Sequence, residues 1–403
     1  MEHQRKKQST KSSAWKKSYV VQEMRKEVKG QALNDMGNAF IWSAFKYYLR
    51  QPTDSYIVYA PVKYWKLHHL INKKCLGGLA FNRKYFHTNI NACIMCALWS
   101  NEDSRSKSLK LNGYNINKSG DFERMIKLPV ERVEKLYSDV YYDKTKFKDV
   151  SYDGILTGLN GLEAADNVKK RIKPLYSDDM LGYLVADSGT FDNPDAKSSL
   201  LIAGRYNGNG FYLHKSDYIE KLPMFCASRY VKYNNAWTER ARIMKSADGS
   251  VRFNRDVKNG ILQQYLLKCL LFTCLEMQNH MRSFNGSDGR YYRNELCLDT
   301  TNGQTIASKD LKKLVMGDKE KALIKQWKQV LKAAKEDNRY KGNLTYGVYQ
   351  LYAELDTSYK DRLGNTVWDN VELHSALSGL RALVKDYYIT EIVPTLFKYE
   401  YLK

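Results

Sequence analysis

The sequence lacks a hydrophobic run long enough to cross a membrane. Its most apolar stretch, Ile261–Met281, is interrupted by polar residues such as Lys268 and Glu276, so we predict a buried helix there. No apolar segment follows the basic N-terminus, which argues against a secretory signal peptide. We therefore expect a cytoplasmic protein with no membrane partner.

Cysteine is sparse and irregularly spaced. The seven cysteines fit free thiols in a reducing cytosol. Cys93 and Cys96 have the two-residue gap of a metal or redox pair, but they lie in a predicted strand, where a separation of three residues turns the thiols to opposite faces. No second pair has zinc spacing. We therefore predict two core residues and no metal site.

The sequence also lacks the common nucleotide-binding loops. Gly204–Gly210 follows a predicted strand, Leu200–Ala203, but fits neither Gly-x-x-x-x-Gly-Lys-Ser/Thr nor Gly-x-Gly-x-x-Gly. A glycine turn is the simpler interpretation. Because Arg205 and Lys215 flank this turn, close approach to a nucleic-acid backbone is the alternative.

One acidic pattern resembles that of metal-dependent nucleases. Asp187 is followed by Asp195-Ala196-Lys197, an acid…acid-x-Lys arrangement in which two carboxylates hold Mg²⁺ and the lysine steadies the attacking water. The stretch Asn193-Pro194-Asp195 also has the composition of a simple turn. A Mg²⁺-dependent nuclease is therefore a further hypothesis beside those below.

What the chain has in excess is positive charge and tyrosine. It carries 65 Lys and Arg against 44 Asp and Glu, a formal charge of +21, together with 31 tyrosines. Such a surplus favours a polyanionic partner, and tyrosine beside lysine or arginine suits both phosphate contact and base stacking. Nucleic acid is the expected partner. The basic arm at 1–31 is expected to contact phosphate or to be a solvated tail.

Hydrophobic periodicity predicts an α/β region after the arm. A helix from Leu33 to Arg50 is followed by a strand at Tyr56–Ala60, and a second helix at Tyr64–Lys74 precedes two further strands. This order implies an α/β sheet with one antiparallel edge pair. The two further strands are Gly77–Phe81 and Ala92–Trp99.

The rest of the chain is divided by composition. A polar stretch, Asn101–Gly120, predicts a boundary, and Phe122–Tyr142 looks helical. Helical patterns return at Lys321–Lys335 and Glu372–Tyr388. We therefore predict an α/β domain at 32–105, a mixed α+β region at 106–307 and a helical C-terminal region at 308–403.

The segment Phe225–Arg242 is the strongest candidate for nucleic-acid binding. Cations alternate there with flat rings, and amides are available to contact base edges. The alternative is an amphipathic element whose rings pack and whose charges are solvated, and both interpretations remain open. The candidate residues are Arg229, Lys232, Tyr233, Asn234, Trp237, Arg240 and Arg242, with Arg205 and Lys215 from the glycine turn.

Three stretches carry a family resemblance. The first is Gly37–Ser100, with Tyr56–Pro61 and Phe86 before the strand that ends at Trp99. The second runs from Asn209-Gly210-Phe211 to Trp237-Thr238-Glu239-Arg240. The third is the C-terminal stretch from Glu372-Leu373 through Ile392-Val393-Pro394 to Tyr399-Glu400-Tyr401-Leu402-Lys403. Together they resemble the part of bacterial N6-adenine DNA methyltransferases of restriction–modification systems that follows the Asn-Pro-Pro-Tyr/Phe motif.

The resemblance implies a partial Rossmann-like methyltransferase sheet, a mixed α+β DNA-recognition region and a helical C-terminal region. It implies part of a site-specific adenine-N6 DNA methyltransferase, split or truncated, with double-stranded DNA and a polypeptide carrying the N-terminal half as partners. S-adenosylmethionine is implied only if that half is supplied. In the family, Asn-Pro-Pro-Tyr/Phe grips the flipped adenine, and its spacing places the motif near or before Trp15, where nothing matches.

No catalytic residue can therefore be assigned from the resemblance. A non-catalytic DNA-binding or specificity module of a restriction–modification system is the alternative from a different functional class.

Overall fold

The computed structural model describes residues 13–86, 91–142, 172–173, 179–185, 200–202, 205–206, 210–234, 236–240, 242–285 and 291–403. Within these ranges, helices and strands surround two hydrophobic cores. The sheet core draws on residues 21–133 and on Met244, with Trp65 and Trp99 among its largest side chains. The helical core draws on residues 137–402. None of the described helices has the length and apolarity needed to span a bilayer.

A five-stranded mixed sheet dominates the first part of the chain, in the order β1-β3-β2-β4-β5. Both β1 and β2 pair antiparallel with β3, so they run parallel to each other; β2 and β4 are parallel, and β4 and β5 antiparallel. The mixed α/β prediction is thus confirmed in its coarse form. The strands are β1 (Ser55–Ala60), β2 (Lys73–Asn82), β3 (Cys93–Asp103), β4 (Ser108–Ile116) and β5 (Phe122–Glu131).

Helices pack on one face of this sheet. Alternate residues of the strands, such as Val58, Ala97 and Leu111, point into the sheet core, as the two-residue period of a strand requires. The helices supply the other half of that core through Trp42 and Trp65. They are α1 (Ser13–Lys16), α2 (Tyr19–Glu27), a 3₁₀ turn (Gly30–Asn34), α3 (Met36–Ser43) with a π turn (Ala44–Tyr48), and α4 (Lys63–Lys66).

The structure corrects two predicted helices. The helix expected over Tyr64–Lys74 is the single turn of α4, and the helix expected over Phe122–Tyr142 is strand β5 as far as Glu131. In β5, Leu128 and Val130 face the core at a period of two while β4 supplies the hydrogen bonds. Both β4 and β5 lie beyond residue 105, so the sheet continues across the predicted boundary.

The N-terminal arm is also shorter than its predicted range of 1–31. Helix α2 buries Val21 and Met24 in the sheet core, and the indole N–H of Trp42 donates to the Glu27 carboxylate at 3.1 Å. Residues 19–27 therefore belong to the folded domain. The first twelve residues lie outside the described ranges.

The second part of the chain is mainly helical. The buried helix expected within Ile261–Met281 is confirmed, as are the helices expected near Lys321–Lys335 and Glu372–Tyr388. The helices are α5 (Tyr137–Tyr141), α6 (Tyr218–Ser228), α7 (Tyr230–Tyr233), α8 (Ser250–Lys258), α9 (Gln263–Leu275), α10 (Ile306–Asp310) with a 3₁₀ turn (Leu311–Lys313), α11 (Asp318–Lys335), α12 (Val348–Glu354), α13 (Val371–Tyr387) with a π turn (Tyr388–Ile392), and α14 (Val393–Lys398).

Short strands accompany these helices: β6 (Ile172–Lys173), β7 (Met180–Val185), β8 (Leu200–Ile202), β9 (Arg205–Tyr206), β10 (Gly210–His214), β11 (Phe284–Asn285), β12 (Tyr291–Tyr292), β13 (Ser358–Lys360) and β14 (Thr366–Trp368). Among the described residues they form one three-stranded sheet, ordered β10-β7-β8, and three two-stranded pairs, β6 with β9, β11 with β12 and β13 with β14.

One short segment connects the two cores. The backbone of Met244 exchanges hydrogen bonds with Lys403 at 2.9 and 3.1 Å, and the Ser246 N–H donates to the Tyr401 carbonyl at 3.0 Å. The next N–H, of Ala247, donates to the Lys135 carbonyl just beyond β5 at 3.1 Å. The C-terminus and the end of the sheet are therefore held on the same segment.

A buried lysine makes the stability of the sheet depend on pH. Lys66 is fully buried, its Nζ donates to the Glu131 carbonyl at 2.6 Å, and burial lowers the pKa of Lys66 from 10.5 to about 7. Between these two values the unfolded chain binds more protons than the folded one, so the free energy of unfolding rises with pH. Lys66 therefore makes the free energy of unfolding depend on pH between about pH 7 and pH 10.5.

We expect Lys66→Met to remove this dependence. The free energy of unfolding of wild type, measured in urea, should rise by about 2 kcal/mol relative to that of Lys66→Met between about pH 7 and about pH 9. The exposed Lys110→Met is the control and should track wild type across the range. Parallel pH profiles for wild type and Lys66→Met would contradict the shifted pKa.

Candidate nucleic-acid interface

The five-stranded sheet has a second face that the described helices leave uncovered. A row of aromatic rings crosses this face from β1 to β5. Three of the rings are clearly open to solvent, since Tyr59 is 47%, Phe86 41% and Phe122 61% exposed. We call the set the aromatic row; its members are Tyr59, Phe86, Phe81, Tyr114 and Phe122.

The rings of the aromatic row touch one another in sequence. Tyr59 and Phe86 lie edge to face with centroids 5.4 Å apart, and Phe86 is 6.3 Å from Phe81. Phe81 is 5.5 Å from Phe122, and Tyr114 is 6.3 Å from Phe122. These are favourable aromatic geometries. The row is therefore one continuous apolar surface that is buried only near Phe81.

Cations and amides border the row. Lys110, Arg124 and Lys127 are exposed on β4 and β5, and Lys84 is exposed within the 3₁₀ turn Arg83–Phe86. The guanidinium of Arg124 donates to the Asn112 side-chain oxygen at 3.3 Å. Apart from this hydrogen bond, the described residues provide these four cations with no ion pair. We call the aromatic row with this border the open sheet face.

This combination suits unstacked nucleic-acid bases. Flat rings on a sheet accept bases by stacking, and neighbouring cations hold the phosphates. Monomeric proteins rarely expose contiguous apolar patches of this kind, and such patches usually mark interaction sites. The open sheet face is therefore the candidate site that the geometry favours.

The sequence-predicted segment Phe225–Arg242 lies largely inside the protein instead. Arg229 is only 5% exposed, and its Nε donates to Glu276 at 3.0 Å. The Tyr233 hydroxyl donates to the second oxygen of the same carboxylate, and its ring lies 4.8 Å from that of Tyr388. Burial, followed by Glu276, raises the pKa of Tyr233 well above its ordinary value. Neither side chain is free to contact DNA.

Other residues of this segment attach it to the sheet. Trp237 packs against the sheet core, the Arg240 carbonyl accepts from the Cys93 N–H at 3.4 Å, and the Arg242 guanidinium pairs with Glu239. A second guanidinium nitrogen of Arg242 lies 3.5 Å from the Pro129 carbonyl. These contacts are structural.

The remaining predicted residues are scattered. Lys215 and Lys232 are exposed, and the Asn234 amide donates to the Tyr230 hydroxyl at 3.1 Å. Arg205 belongs to β9, and its side chain lies outside the described residues, as do Asp187, Asp195 and Lys197 of the nuclease pattern. The predicted residues therefore do not form one surface.

No family model, curated protein or solved structure matches this chain. The interpretation of the open sheet face therefore depends on its geometry. Cys93 lies in the sheet core as predicted, whereas Cys96 is half-buried on the opposite side of β3 and is not a core residue.

Sequence reasoning missed the open sheet face because it placed a boundary and a helix over β4 and β5. A signal was present. Leu109 and Leu111 flank Lys110, and Leu128 and Val130 lie two residues apart between Lys127 and Glu131, which is the period of a half-buried strand. Tyr114 and Phe122, the aromatic residues of these two strands, face away from the core.

Arg229 offers a direct test of its buried placement. Arg229→Met should lower the free energy of unfolding by about 3–5 kcal/mol, because Glu276 would be left buried without its partner. Lys232→Met makes a similar change at an exposed position and should shift stability by less than about 0.5 kcal/mol. Chemical denaturation measures both. Equal stability of the two variants would return Arg229 to the list of surface candidates.

The open sheet face should bind unstacked bases through its outer rings. Replacing Phe86 and Phe122 together by alanine should weaken binding of a fluorescent single-stranded oligonucleotide by about 1–3 kcal/mol per lost stack. The matched control replaces Val315 and Leu363, both exposed apolar residues of the helical region, by alanine. Anisotropy titration should give wild-type affinity for that control; an equal loss in both pairs would refute the site.

Proposed function

We propose that this chain supplies the second part of the catalytic sheet and the DNA-binding surface of an adenine-N6 DNA methyltransferase. The first part of the sheet would come from polypeptide outside these 403 residues. The observation that carries the proposal is the edge of β1. Within the described residues β1 pairs only with β3, and its other edge carries no strand.

That edge has none of the usual protection. Natural edge strands are blunted by charges, prolines or bulges. Strand β1 reads Ser-Tyr-Ile-Val-Tyr-Ala, has no register shift against β3, and leaves Ile57 61% exposed. A regular, uncharged and apolar edge is suited to pair with a further strand. This supports a sheet that is completed by other polypeptide.

The direction of the strands supports an α/β enzyme sheet. β1 and β2 run parallel and are connected through α4, while the reversed β3 lies between them. Mixed sheets that combine parallel and reversed strands are common among large α/β sheets. Ligands of such sheets bind at the carboxyl ends of the strands. Tyr59, near the end of β1, meets Phe86, just beyond β2, at this position.

The residues of this chain do not fit S-adenosylmethionine on their own. Before β1 the only glycines are Gly30 and Gly37, and neither follows a strand. The sequence contains no Asn-Pro-Pro-aromatic motif. We therefore assign no step of methyl transfer to this chain alone; its own residues would position the DNA and complete the sheet.

A non-catalytic DNA-binding module is the second candidate. The open sheet face and the formal charge of +21 favour it independently of any cofactor. It differs from the first proposal in one respect, because it requires no partner at the β1 edge.

Reconstitution distinguishes the two proposals. The chain is mixed with a neighbouring-gene product that carries a glycine loop and Asn-Pro-Pro-Tyr/Phe, then given labelled S-adenosylmethionine and duplex DNA. We expect label on adenine only when both polypeptides are present. Ile57→Asp should abolish transfer, because a charged residue on an edge strand opposes pairing with a further strand.

The control for this variant is Val251→Asp, which changes an exposed aliphatic residue on α8. It should transfer methyl groups as wild type does. DNA binding without transfer in any mixture, and with no association of the two polypeptides, would reject the methyltransferase proposal and favour the binding module.

A further inference from the structure

Helix α11 carries a row of lysines along its solvent face. Their spacing alternates between four and three residues, which keeps them within one side of an α-helix. All five are exposed. We call them the lysine stripe; its members are Lys321, Lys325, Lys328, Lys332 and Lys335.

The orientation of the stripe is fixed by the opposite side of the helix. Leu323, Trp327 and Val330 are buried in the helical core. Beside them the Gln326 amide donates to the Ala376 carbonyl of α13 at 2.9 Å. The helix therefore cannot turn, and the stripe faces outward along a length of about 21 Å.

The five charges have no counter-charges among the described residues. No carboxylate there lies within ion-pairing distance of any of them, although neighbouring lysines are paired. Lys319 lies 3.3 Å from Asp386, and Lys313 lies 2.9 Å from Asp310.

Acidic residues at i±3 or i±4 commonly offset lysines on an exposed helix face. Here they stand only at the two ends of the stripe, Asp318 three residues before Lys321 and Glu336 four residues after Lys332, and neither forms an ion pair with it. The stripe is therefore a line of uncompensated positive charge.

We infer that the lysine stripe binds the phosphate backbone of duplex DNA. A rigid line of cations can follow phosphates over about half a turn or more of B-DNA, releasing condensed counterions without reading sequence. The stripe is far along the chain from the open sheet face and would hold the duplex while that face takes unstacked bases. The choice of duplex DNA rests on the proposed function; the contact itself requires no catalysis.

A membrane surface is a poorer fit for this helix. Helices that lie on bilayers insert an apolar face between the lipids. In α11 that face is occupied by the helical core, and only the charged side is available.

The test compares two triple variants of equal charge change. Lys325, Lys328 and Lys332 are replaced by glutamine in one, and the exposed Lys29, Lys46 and Lys258 in the other. Affinity for a fluorescent 20-base-pair duplex is measured from about 50 to about 200 mM salt without cofactor. The stripe variant should lose about tenfold or more in affinity, with a salt slope reduced by about 2–3. The control should stay near wild type.

Arginine at the same three stripe positions should restore binding, and circular dichroism checks that each variant is folded. An unchanged salt slope would overturn the inference, and so would an equal loss in the scattered control, which would indicate net charge alone. Loss of binding to anionic vesicles with duplex binding intact would assign the stripe to membranes instead. Normal stripe-dependent binding, with no methyl transfer in any reconstituted mixture and no association of the two polypeptides, would reject the proposed function and leave this inference standing.

Discussion

The carboxylate of Asp248 holds the two halves of the molecule together. One of its oxygens accepts the N–H groups of Glu134, at 3.0 Å, and Lys135, at 2.6 Å, just beyond the sheet; the other accepts Lys403 Nζ at 2.7 Å. Its side chain is only 7% exposed, so these charge-assisted hydrogen bonds form away from competing water. The end of the sheet and the last residue of the chain therefore share one anchor.

This anchor explains how an incompletely covered sheet can persist. The sheet has a full core on one face only, and its other face and the edge of β1 expose aromatic and aliphatic groups. Such a sheet would gain little from its own burial alone. The helical core is a second hydrophobic cluster, and the hydrogen bonds of residues 244–248 attach the sheet to it. The uncovered surface can then be kept available for a partner.

Sequence periodicity predicted those elements whose burial is one-sided and regular. The helices near Lys321–Lys335 and Glu372–Tyr388 were found because apolar residues recur at a single period. The strand at Tyr56–Ala60 was found as a short run of β-forming residues closed by Pro61. β4 and β5 were missed because each buries only two large aliphatic residues. Their outward positions carry lysine, arginine and asparagine, as a polar loop would.

The buried placement of Arg229 was missed for a different reason, since the role of a cation depends on where its counter-charge lies. Arg229 looked like a DNA ligand, but its partner Glu276 is 47 residues away in the sequence. The two become neighbours only because α9, which ends just before Glu276, packs against α6, which ends just before Arg229. No local pattern contains that contact. In the lysine stripe, by contrast, the spacing of the lysines and of the buried residues between them places all five lysines on one exposed side of the helix. Local periodicity can thus identify exposed charge, whereas buried charge is decided by tertiary structure.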